Sequence, residues 1–139
     1  MNKGLWYFAH PYTAKDNDGN YVSLAEEANF RICNIRAGEL LRRGYNIYSP
    51  ISHTHPIHIA TPKFLKDHEH EMWYHLDNQV IDRTRFDGII LAPEWETSSG
   101  CVAEKKKIEG MGGKVLYYTD IIYAPASPPH VKSWEEIKQ

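Results

Sequence analysis

The chain is poor in cysteine, has no long apolar run and carries no excess of either charge. Two cysteines, Cys33 and Cys101, stand in separate segments of the 139 residues. That excludes a disulfide framework and a paired-thiolate metal motif, and it makes a reducing cytoplasm the expected compartment. No stretch is apolar for long enough to span a bilayer, and Met1-Asn2-Lys3-Gly4 leads into a short strand without a signal peptide's apolar region. Sixteen basic against eighteen acidic residues leave a formal net charge of -2. The basic run Lys105-Lys106-Lys107 reads as a solvated helix face, so neither polymeric nucleic acid nor a membrane is an expected partner. Neither a Gly-x-x-x-x-Gly-Lys-Ser/Thr loop nor a Gly-x-Gly-x-x-Gly turn follows the first apolar segment. This weighs against a P-loop ATPase and a dinucleotide dehydrogenase.

What is present is the composition of one globular domain over residues 1–139, 42% hydrophobic and 24% charged. Residues 5–9 form a compact apolar run and a first strand. Ser23-Leu24-Ala25-Glu26 has the form of a capping box and opens a helix that Arg42-Arg43-Gly44 stops. Residues 45–48 read as a second strand, and the Pro- and His-rich residues 49–62 as a long loop. A second helix is expected over residues 64–83, a third strand over 88–92, a third helix over 102–109 and a fourth strand over 114–118. Residues 119–139, with three prolines, read as an extended tail ending in a helical turn near Trp134. This alternation predicts an α/β fold: a doubly wound, Rossmann-like or flavodoxin-like parallel sheet with flanking helices, binding ligands beyond the carboxyl ends of its strands.

Several residues of that edge carry chemistry. Glu104 follows an apolar strand and the small-residue turn Ser98-Ser99-Gly100. It reads either as a nucleophile or base at a ligand crevice, or as a glutamate favoured by the dipole of a helix's first turn. Asp77 is a candidate partner for it, and equally a polar flank of an amphipathic helix. A carboxylate pair around a glycosidic bond splits into a group that attacks the anomeric carbon and a group that assists departure. Ser98, Ser99 and Gly100 suit a phosphate or sugar hydroxyl, or serve as an ordinary N-cap. His53, His55 and His58 allow a metal-ligand reading, against one in which their imidazoles line a polar crevice with His10, Tyr12 and Trp95 beside the ligand. Cys101 is either a thiol nucleophile at a helix start or a small core residue.

Taken in order, these segments resemble the nucleoside 2-deoxyribosyltransferase-like superfamily, and within it a branch of small bacterial and phage proteins. The resemblance rests on Tyr7-Phe8-Ala9-His10-Pro11-Tyr12, Ser52-His53-Thr54-His55-Pro56-Ile57, Trp73 with Asp77, the stretch 87–100, Glu104 and Gly113. It implies cleavage or transfer at the N-glycosidic bond of a nucleoside or nucleotide. By the same resemblance Glu104 attacks the anomeric carbon, Asp77 protonates or orients the leaving base, and Tyr7 stands by the nucleophile. Ser98, Ser99 and Gly100 fall where relatives hold a 5′-phosphate. Such enzymes use no metal or other cofactor and form homo-oligomers. Two rival expectations are a nucleotide-binding module without catalysis and a metal hydrolase built on the histidine loop.

Overall fold

Four short strands, Trp6–Ala9 (β1), Ile47–Tyr48 (β2), Gly88–Leu91 (β3) and Lys114–Tyr117 (β4), pair in the order β2-β1-β3-β4, every pair parallel. The computed structural model describes residues 4–61, 69–124 and 133–138. Six α-helices and a 3-10 turn at Trp95–Thr97 accompany the strands among these residues: Ser23–Arg42 (α1), Pro50–Ala60 (α2), Glu69–Arg83 (α3), Ser99–Gly110 (α4), Tyr118–Ile122 (α5) and Trp134–Ile137 (α6). The chain runs from β1 outward to β2, crosses back to β3 and then runs outward to β4. The direction reverses between β1 and β3, so the fold is the doubly wound α/β arrangement, with its switch point between those strands.

β1 and β3 are buried along their whole length, which a parallel sheet covered on both faces requires. Their alternation divides the core in two. Trp6, Phe8, Ile90 and Ala92 face Cys33, Ala37 and Leu40 of α1, Ile51 of α2 and Tyr118 of α5. Tyr7, Ala9, Ile89 and Leu91 face Ile81 of α3 and Cys101 and Ile108 of α4. Gly88 lets β3 and β4 close up: a Cβ there would lie 2.0 Å from the Lys114 carbonyl oxygen. α1 ends as expected. Gly44 takes φ +88°, and the Gly44 and Tyr45 N–H groups donate to Leu41 and Leu40, a Schellman closure.

Three expectations are corrected. Residues 50–60 are a helix, not a loop: Pro50 sits at its start, where a fixed φ and a missing N–H cost nothing, and the helix accommodates Pro56 inside it. Ser23 is not the N-cap of α1. Val22 holds that place with no side-chain cap, and the Val22 N–H ties back to Ala14, fixing the preceding loop instead. The stretch read as an extended tail begins with the short helix α5, while its residues 125–132 lie outside the described residues, as do 62–68 of the expected second helix. No helix among the described residues is long and apolar enough to cross a membrane.

Candidate active site

The face of the sheet covered by α3 and α4 gathers two acids and a phenol. Asp77 lies one turn before the core residue Ile81 on α3, which puts the carboxyl on that helix's inward stripe instead of its polar flank. Glu104 lies between the core residues Cys101 and Ile108 on α4, one turn from each, and faces the same way. α4 starts at Ser99, so Glu104 is past the first turn and the dipole explanation for it falls away. The phenol of Tyr7, fully buried on β1, donates a hydrogen bond to Oε2 of Glu104. Lys107 pins the helices together beside the pair, with Nζ 2.7 Å from Oδ1 of Asn78 and 2.8 Å from Oδ1 of Asp82.

Burial governs the electrostatics. It pushes the Glu104 carboxyl up to about 8; the Asp77 charge adds to the rise and the Tyr7 hydrogen bond opposes it. Burial alone pushes Asp77 up to about 7. Tyr7 is held well above the ordinary phenol range by burial and by Glu104 and Asp77, so it stays a neutral donor. Near neutral pH the two acids together therefore hold about one proton. Tyr7 favours the charge on Glu104, whereas Oδ1 of Asp77 is buried without a hydrogen-bond partner. Glu104 is the higher of the two, and the Tyr7 hydrogen bond narrows the gap, so the form with Glu104 ionised and the proton on Asp77 is accessible near neutral pH. A buried, partnerless carboxyl oxygen is costly to a fold.

Two further residues adjoin this site that carry no signal in the sequence. Tyr48 pairs with Tyr7 across β1 and β2, its ring 6.0 Å from that of Tyr7, and burial together with the Asp77 charge raises its phenol. Phe86 packs edge-on against Tyr7 at 5.4 Å. Both owe their place to the parallel register and the turn before β3, for which no local pattern exists.

The other expected residues are distributed elsewhere. Ser98 caps α4, its Oγ accepting from the Cys101 N–H at 3.2 Å. Ser99 and Gly100 form the first turn, where N–H groups precede the helix's own ladder. Trp95 and Tyr117 wall a hollow of about 320 Å³ beyond β3 and β4, with Glu94 and Glu96 at its rim; the hollow does not include the two acids. Glu94 stands there with φ +67°. His10, Tyr12 and His55 are not brought to the carboxylates. They lie on the sheet face that α1 covers, where both ring nitrogens of His55 are engaged, by Glu27 Oε2 and by the Tyr12 hydroxyl, each at 2.6 Å. His53 is exposed, the His58 ring lies tilted 6.3 Å from that of His55, and no cluster of three or more metal-ligating side chains occurs among the described residues. Cys101 is fully buried and its thiol is pushed up to about 12, which leaves it a core residue.

The model described as Domain of unknown function (DUF1937) matches residues 4–120. The chain belongs to the DUF1937 family. The DUF1937 match takes in every residue of the carboxylate site, from Tyr7 to Glu104. A search of curated proteins returned no match.

Proposed function

We propose that this DUF1937 protein cleaves, or transfers a sugar across, the N-glycosidic bond of a nucleoside or nucleotide, with Glu104 as nucleophile. The observation that carries the reading is the pair of largely buried carboxyls, one held by a neutral phenol and the other with one oxygen, Oδ1, that has no hydrogen-bond partner. Such a pair supplies both functions the reaction needs, an attacking oxyanion and a proton for the departing base.

The steps follow from that division. Tyr7 engages Oε2 of Glu104 and leaves Oε1 to attack the anomeric carbon. As the C–N bond breaks, its electron pair passes to the base, and the Asp77 proton goes to a base nitrogen. A glycosyl ester forms on Glu104. Water, or a second base, then attacks the anomeric carbon; the ester C–O bond breaks, Glu104 leaves as carboxylate, and Asp77 recovers a proton from the attacking group. Tyr48 and Phe86 supply an apolar wall beside Asp77, and the first-turn N–H groups of Ser99 and Gly100 suit a sugar hydroxyl or phosphate. The same reading sets the protein in the cytoplasm as a homo-oligomer acting on small molecules.

The test is a chromatographic screen of ribo- and deoxyribonucleosides, their monophosphates and NAD, with and without an added free base, for wild type and Glu104→Ala. Free base from wild type alone supports the proposal, and a new nucleoside identifies transfer. Substrates bound yet returned intact would replace it with a binding module.

A further inference from the structure

On the opposite face of the sheet, a guanidinium is held entirely by neutral groups. Alternation along β1 turns Phe8 and His10 away from Tyr7, toward α1. His10, 7% exposed, follows the last residue of β1 and so stands at the carboxyl edge beside the switch point. Its Nδ1 lies 2.8 Å from the Pro11 carbonyl oxygen, which can only accept, so Nδ1 carries the hydrogen and Nε2 presents a lone pair. Nη1 of Arg36, on α1, donates to that lone pair at 2.9 Å. Burial, with Arg36 beside it, lowers the pKa of His10 and keeps the ring neutral. The Tyr118 ring lies 5.7 Å from Cζ of Arg36, and the Phe8 ring sits near both His10 and Tyr118, at 5.8 and 6.2 Å.

What is missing from this cluster is a counter-ion. No carboxylate among the described residues pairs with Arg36. Glu39, one turn further along α1, is taken by Arg42 at 3.3 Å and Arg43 at 2.9 Å, and Glu27 is taken by Arg31 and His55. A half-buried guanidinium loses part of its hydration, and proteins ordinarily compensate with a carboxylate. Here an imidazole lone pair and an aromatic face fix the group's orientation and leave it without an ion-pair partner among the described residues. Its unused N–H groups form a rigid fork that matches the oxygens of a phosphate better than it matches a spherical anion.

We propose that Arg36, oriented by His10 and flanked by Tyr118, binds the phosphate group of a phosphomonoester at the carboxyl edge of the sheet, on the face opposite Glu104 and Asp77. The site stands on its own observations and does not depend on the glycosidic reading. His10 acts as a positioning residue, and Arg36 makes the contact.

The probe is inorganic phosphate, titrated into the full chain at constant ionic strength with chloride as the balancing anion. Binding is followed calorimetrically and through the Arg36 Nε–H resonance. Wild type is expected to bind saturably with a shift of that resonance, and Glu104→Gln to bind equally well. Arg36→Gln is expected to weaken binding about tenfold or more, the scale of a lost charge-assisted hydrogen bond. Should Arg36→Gln fail to fold, the wild-type resonance decides alone. An effect no larger than that of chloride, a shift centred on Lys105 to Lys107 with Arg36 unmoved, or undiminished binding in a folded Arg36→Gln would overturn the site. Acetate binding as tightly as phosphate would overturn the assignment to a phosphomonoester.

Discussion

Replacing Asp77 by asparagine stabilises the protein at alkaline pH while removing its proposed acid. The carboxyl is raised from 3.8 to about 7 in the folded chain by burial. The unfolded chain releases that proton near pH 4, so the folded state binds more protons than the unfolded one between about 4 and 7. The stability associated with neutral Asp77 is therefore complete below about pH 4 and is lost as the pH climbs through about 7. A shift of that size corresponds to roughly 4 kcal/mol at about 1.4 kcal/mol per pKa unit. Asp77 keeps some contact with solvent, which relaxes the penalty, and about 2 kcal/mol is the effect expected. For a chain of 139 residues that is about 6 °C in Tm. Loss of the repulsion on Glu104 acts in the same direction. Urea unfolding of wild type and Asp77→Asn at pH 4 and pH 8 tests this. The variant's advantage should grow by about 2 kcal/mol between the two conditions. An advantage independent of pH, or a variant equally destabilised at both, would refute the claim that Asp77 is buried with a raised pKa.

Three further outcomes follow from the same site. Because the acids are raised to about 7 and about 8, kcat/KM for base release should rise through the lower value and fall through the upper. In Asp77→Asn the falling limb should vanish and the rate drop about 10²- to 10³-fold, read from the pH profile. Tyr7→Phe removes the donor that lowers Glu104. Its upper limb, set by Glu104, should move to higher pH and kcat/KM should fall about 10- to 100-fold, with an unchanged circular dichroism spectrum. Gly88→Ala forces a Cβ to 2.0 Å from the Lys114 carbonyl oxygen. It should cost about 3 kcal/mol in urea unfolding, since β3 and β4 have no flexible side chain at that point to give way.

The fold was legible where local pattern and tertiary packing agree. The apolar runs at β1 and β3 and the amphipathic spacing of α1 and α3 sufficed for a doubly wound sheet, and Gly44 marked the end of α1. α2 was illegible because proline and histidine depress helix propensity, while its place is set by packing: Ile51 and His55 are buried against β1 and α1. Within the site, Glu104 and Asp77 were identifiable as candidates, but the choice between chemistry and surface needed the helix phases that align them with Cys101, Ile108 and Ile81. Tyr48 and Phe86 carried no signal, because strand pairing is a non-local fact. His10 and His55 stood out only as residue types, and the face of the sheet on which each falls depends on the count along β1 and on α2 being a helix.

Glu104 as nucleophile is the central claim, and capture of its ester tests it most directly. Wild-type protein should be acid-quenched during turnover of a nucleoside or nucleotide found active in the screen, then digested and weighed by mass spectrometry. The peptide containing Glu104 is expected to carry the added mass of the sugar, with fragmentation placing it on that residue and no adduct in Glu104→Gln. An adduct on another residue, or base release undiminished in Glu104→Gln, would contradict the account.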